Sequence, residues 1–143
     1  MRILVTGSAG QLGSEVVPLV ADRHEVLGVD LHNCDLTDRD AVLAVVTSFE
    51  PDVIIHGAAF TAVDRCEVEV ETAHRVNCLA TRFLADGARR VGAHVVYVST
   101  DYVFDGTKAE PYTEWDQPAP ASVYGHTKLG VAVYGGAAIV LPA

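Results

Sequence analysis

The stretch that decides the fold is Arg2 to Gly13, RILVTGSAGQLG, in which a short β-branched run meets a glycine-rich turn and then an apolar helical pattern. A strand that empties through glycines into a helix N-terminus presents free backbone amides, and the positive end of the helix dipole, to an anion. The spacing is GxxGxxG: Gly7 suits the tight turn, Gly10 a close backbone approach, and Gly13 the packing of helix on strand. Gln11 and Leu12 lie between the last two glycines, so the expected phosphate cradle comprises Gly7, Gly10, Gln11, Leu12 and Gly13.

Outward from that turn, strand and helix signals alternate. LGSEVVPLVADR reads as a helix interrupted at Pro18, EVLGVD (25–30) as a second strand, and a helix is expected from near Thr37, with Val42, Val45, Val46 and Phe49 facing the sheet. PDVIIHGAA (51–59) is a third strand, a long helix runs from about Glu69 to Val91 and stops at Gly92, and HVVYVST (94–100) is a fourth strand. Residues 101–120, with three prolines, read as a surface loop. A helix is expected from Ala121 to about Val133, ending early if Gly130, Gly135 and Gly136 break it, and AAIVL is a fifth strand. Such alternation implies an α/β, Rossmann-type doubly wound parallel sheet of five to six strands, one domain over residues 1–143.

Composition agrees with a folded domain. The 143 residues are 50% hydrophobic and 20% charged, and the formal net charge is -9. That acidity provides no broad positive field for nucleic acid or an anionic membrane. Cys34, Cys66 and Cys78 form no CxxC pair, and the N-terminus shows no apolar run long enough for a signal peptide or span, so a reduced, cytoplasmic protein is expected. His32, Cys34, Cys66, His74 and Cys78 match no standard zinc spacing, and no metal is expected. Glu67, Glu69 and Glu71 read as a solvated helix start.

Two further groups carry chemistry. Asp30 ends the second strand, where a carboxylate can accept from an adenosine ribose diol. With no arginine or lysine directly after it, the reading is NADH or NADPH, with NADH favoured. Asp35 and Leu36 are candidates to line the adenine pocket. Tyr124 and Lys128, in YGHTK, stand one helical turn apart, and a nearby ammonium would draw a phenol toward a useful acid–base range. Ser99-Thr100 closes the fourth strand at the carboxyl edge of the sheet, and strand alternation aims one of the two hydroxyls at the site.

With these motifs in chain order, the sequence resembles the extended short-chain dehydrogenases/reductases. AAFTAVDRCE, STDYVFDGTKAEPYTE and PAPASVYGHTKLG are similar to the dTDP-4-dehydrorhamnose reductase family from Met1 to about Gly130. The resemblance implies reduction of the 4-keto group of a dTDP-6-deoxyhexulose in dTDP-L-rhamnose synthesis, with Thr100 as the catalytic hydroxyl and Tyr124 as the general acid. Lys128 would hold the nicotinamide ribose. It also implies that Ala58 and Ala59 lie beside the cofactor, with Thr61, Val63 and Tyr102 near the sugar, while Asn77 reads more simply as a buried packing amide. Members of that family continue well past the fifth strand, so a substrate-binding C-terminal part is expected to be absent here. The open sheet edge leaves room for a homodimer or a partner enzyme. The alternative is a cofactor-binding regulatory subunit resembling the β subunit of methionine adenosyltransferase.

Overall fold

The computed structural model describes residues 1–130 and 138–141. Five strands, β1 (Arg2–Thr6), β2 (Glu25–Val29), β3 (Val53–His56), β4 (His94–Val98) and β5 (Ala138–Leu141), pair in parallel in the order β2-β1-β3-β4-β5. The helices between them are α1 (Gln11–Ala21), α2 (Arg39–Phe49), α3 (Val63–Cys66), α4 (Val70–His74), α5 (Ala80–Val91) and α6 (Val123–Leu129). Right-handed crossovers place α1 on one face of the sheet and α2 and α5 on the other. Because β2 lies to one side of β1 and β3 to the other, the chain reverses direction at their carboxyl ends. A crevice opens there, where sheets of this type take ligands.

The core explains the register. Leu4 stands opposite Ile54, and Ile54 opposite Val95. This row is covered by Val42 and Val46 of α2 and by Ala80, Leu84 and Ala88 of α5. A β-carbon on Gly87 would come within 3.1 Å of Val46, so the bare glycine lets α5 close onto α2. On the opposite face α1 packs on β1 and β2, whereas Val53, Ile55, Val96 and Val98 remain half-buried. No described helix is long and apolar enough to cross a membrane.

Three local expectations are corrected. First, α1 runs unbroken through Pro18. Pro18 lies on the exposed side, where water can satisfy the carbonyl that the ring leaves without a donor. Second, α2 begins at Arg39 rather than at Thr37: the Asp38 carboxylate caps it by accepting from the amides of Asp40 and Ala41, and Thr37 is tied up by Asp35. Third, the long helix carries a π-helical turn at Arg75–Leu79 between α4 and α5 before Gly92 caps it in the left-handed region at φ 75. The expected continuation of α6 to Val133 falls outside the described residues.

Candidate functional site

The turn after β1 is built around missing side chains. Gly7 adopts φ +69, and a β-carbon there would stand 2.8 Å from the backbone of Ala58, so no L side chain fits. A β-carbon on Gly13 would collide with the Gly7 carbonyl, and α1 therefore begins hard against the strand. Gly10 caps α1 with no side-chain acceptor and no acid in the first turn. The amides of Gln11, Leu12 and Gly13 thus find no acceptor among the described residues. Several unpaired N–H groups at the positive end of an eleven-residue helix fit the pyrophosphate of a dinucleotide, and this donor set carries the fit.

Asp30 closes the other side. Its carboxylate accepts from the amides of Ala9 at 2.9 Å and Leu31 at 2.8 Å. These hydrogen bonds, Ala9 first, hold the group below the usual carboxylate range and therefore ionised. A cleft of about 610 Å³ opens between this turn, the β2–α2 segment and the segment after β3. Of the residues expected there, Gly7, Gly10, Asp30, Asp35, Leu36, Ala58, Ala59 and Thr61 line it, while Gln11, Leu12 and Gly13 reach it only through their place at the start of α1. The sequence reading missed Thr37, Phe60, Thr72 and Val76 on its wall. Thr72 and Val76 are one helical turn apart, a spacing that could have flagged a common face. Asp35 accepts from both the amide and the hydroxyl of Thr37 at 2.8 Å, and Arg75 donates to the same hydroxyl at 3.4 Å.

Beyond Phe60 the cleft meets α6. Phe60, Val63 and Val123 pack against the cluster of Cys66, Ala73 and Tyr124, and Tyr102 meets the Tyr124 ring edge to face at 5.6 Å. The helix is pinned on three sides. Ser122 accepts from the Gly125 amide, and Glu67 accepts from the Val123 amide at 2.8 Å. Asn77 donates to the Thr127 hydroxyl at 3.0 Å. Asn77 also accepts from the Phe60 amide at 2.7 Å and donates to the Phe60 carbonyl at 3.1 Å, so this buried amide couples the cleft wall to α6. Of the three glutamates expected to form a solvated helix start, Glu67 instead reaches across to α6, and Glu69 pairs with Arg65.

The expected coupling of Tyr124 to Lys128 is not what this arrangement contains. Burial pushes the Tyr124 phenol above its ordinary value, with Cys66 adding to the rise, and a hydrogen bond with Thr100 opposes it. The Lys128 ammonium is directed elsewhere: it donates to the Val98 carbonyl at 2.7 Å and sits over the Tyr97 ring. Burial lowers its pKa to about 8. Ser99 and Thr100 are both buried, and the Thr100 hydroxyl donates to Asp101 and accepts from the Tyr102 amide. All three cysteines are buried and free. Among the described residues, no group of three or more His, Cys, Asp or Glu could hold a metal ion.

Comparison with known proteins places these features in a lineage. The dTDP-4-dehydrorhamnose reductase of Aggregatibacter actinomycetemcomitans is 45% identical over 129 residues, which cover 89% of this chain and 44% of that protein. The crystal structure of dTDP-4-dehydrorhamnose reductase from Bacillus anthracis in complex with NADP superposes with a TM-score of 0.94 at 34% identity, over 99% of this chain and 52% of that one. UDP-glucose 4-epimerase of Thermus thermophilus, in complex with NAD, gives 0.84 at 29% identity over 94% and 49%. The chain therefore spans about half the length of the relatives it matches. A family model described as the RmlD substrate binding domain matches residues 1–133, and the chain belongs to that family.

Proposed function

We propose that this chain binds a reduced nicotinamide dinucleotide and takes part in reducing the 4-keto group of a dTDP-6-deoxyhexulose. The observation that carries the reading is the run of unpaired amides at Gln11–Gly13, at the start of α1, next to a cleft lined by Gly10, Asp30 and Phe60, with Phe60 packed against the cluster that holds Tyr124. It is supported by relatives named dTDP-4-dehydrorhamnose reductase and by the NADP and NAD complexes of similar structures.

When bound, the dinucleotide supplies the hydride. The amides at the start of α1 hold the pyrophosphate, and Asp30 accepts from a ribose hydroxyl and disfavours a 2′-phosphate by charge, so NADH is the preferred partner. Asp35 and Leu36 would line the adenine pocket, and the small Ala58 and Ala59, also on the cleft wall, would leave room for the cofactor. Thr100 and Tyr124 donate to the oxygen that becomes an alkoxide, and Tyr124 delivers the proton. A phenol kept above its ordinary pKa by burial is protonated at neutral pH, the state this step requires. Lys128 would hold the nicotinamide ribose, while Thr61, Val63 and Tyr102 would contact the sugar.

Calorimetric titration of the 143-residue chain with NADH and NADPH, followed by NADH oxidation with the dTDP-keto sugar, tests this reading. Binding of both dinucleotides with NADH the tighter, and turnover that Tyr124→Phe abolishes, are expected. Absence of dinucleotide binding would overturn the proposal, and binding without turnover would remove its catalytic half.

A further inference from the structure

Lys128 is an ammonium buried with no counter-ion among the described residues. It is 4% exposed, and none of the ion pairs among the described residues includes it. Its partners are the Val98 carbonyl at 2.7 Å and the Tyr97 ring, whose centroid lies 4.3 Å from Nζ. An aromatic face carries negative charge density, and its attraction for a cation is largest where water is excluded. Tyr97 is 2% exposed, and its ring is held in turn by the His56 ring, 5.5 Å away and tilted by 38°.

We propose that Tyr97 is a positioning residue: its ring face and the Val98 carbonyl form the seat that keeps the Lys128 ammonium charged and docked at the end of β4. The role assigned to Lys128 rests on the function proposed above, whereas the seat itself is a property of the chain alone. The titratable groups around this seat are His56 on β3, Tyr97 on β4, Cys78 in the π-helical turn and Tyr124 on α6, with Cys66, Asp101 and Tyr102 beyond Tyr124. His56 is neutral, its pKa lowered by burial and by Lys128 itself to about 3. Among the described residues, Tyr97 offers the one aromatic face in contact with Lys128.

The Tyr97 hydroxyl is buried with no hydrogen-bond partner among the described residues, so the ring can be tested apart from it. Tyr97→Phe keeps the π face, whereas Tyr97→Leu keeps an apolar filling and loses it. The readout is the Lys128 pKa, followed by NMR of its ε-carbon in the chain without cofactor. The phenylalanine variant should titrate with the parent, and the leucine variant about one pH unit lower. Should the leucine variant fail to fold, pentafluorophenylalanine at position 97 preserves ring shape while reversing the charge of its face, and the same downward shift is expected. Equal Lys128 titration in the variants with and without the π face overturns the proposal, even if the parent turns over. If the shift appears but no variant binds a dinucleotide, the seat stands and the enzymatic reading fails.

Discussion

The Asp30 carboxylate accepts from the Ala9 amide at 2.9 Å, so the acid at the end of β2 fastens the glycine turn across 21 residues of sequence. One side chain thereby shapes the cradle and sets its charge. Asp30→Asn keeps an acceptor for Ala9 but removes the repulsion of a 2′-phosphate. Its NADPH affinity, measured by calorimetry, should rise relative to NADH by about tenfold, the equivalent of about 1.4 kcal/mol. An unchanged affinity ratio would show that Asp30 does not discriminate between the two.

Gly13 tolerates no side chain, because the Gly7 carbonyl occupies the space a β-carbon would need. Gly13→Ala must push α1 away from β1 and scatter the free amides of its first turn. A loss of dinucleotide binding is expected, with a lowered melting temperature. A variant that bound normally would contradict the assignment of this turn as the phosphate cradle.

His56 makes stability depend on acid. Thr81 donates its hydroxyl to the Asn77 carbonyl, so it accepts from His56 Nε2–H at 2.8 Å, which leaves Nδ1 to accept from Thr6 at 2.6 Å. In an unfolded chain a histidine takes a proton near pH ~6.5, whereas burial defers this to about 3 in the fold. Between those values the unfolded chain binds more protons. Stability is therefore complete above the upper value and is lost as pH falls through the window, by up to about 1.4 kcal/mol per unit. Urea unfolding between pH ~7 and pH ~4.5 should show this slope flattened in His56→Gln, and parallel slopes would refute it.

Asn77 satisfies three groups at once, at Phe60 and Thr127. Asn77→Leu leaves the Phe60 amide unpaired in a poorly solvated place and leaves the Phe60 carbonyl only the weak Cys66 thiol at 3.7 Å, at a cost of about 1 to 3 kcal/mol. Chemical denaturation measures that loss. The change should also loosen α6, seen as faster exchange of the Tyr124 amide.

Glu67 reaches from the segment after α3 to the first amide of α6. Glu67→Ala should speed hydrogen exchange at Val123, and Glu67→Gln, which retains an acceptor, should restore protection. Equal exchange in both variants would assign the cap to Ser122 alone.

Much of this architecture was legible in the amino-acid order, because it rests on local signals. The alternation of apolar runs fixes the parallel sheet, and RILVTGSAGQLG announces both the first strand and the amide-lined turn. What escaped depends on tertiary neighbours. Nothing in YGHTK indicates that Lys128 turns toward Tyr97 and Val98 instead of Tyr124, since that choice follows from where β4 ends under α6. Pro18 could remain inside α1 only because its side of the helix faces water. Glu67 looked like one of three surface acids until the fold brought Val123 to it. Asn77 was legible as a buried amide, but its partners, 17 and 50 residues away, were not.

The wide turn at Arg75–Leu79 has a consequence for how this helix tolerates change in its length. A π turn holds one residue more than an ordinary turn, so deleting any single position there would let the hydrogen-bond ladder become regular at little local expense. Everything N-terminal to the deletion would then swing by about 100° around the axis relative to Thr81 and Leu84. Thr72 would leave the cleft wall and Ala73 would leave the neighbourhood of Tyr124, while the sheet stayed intact. The surplus residue thus acts as a phase adjuster, rotating one end of a long rod to face the cleft while the other end keeps its grip on the interior.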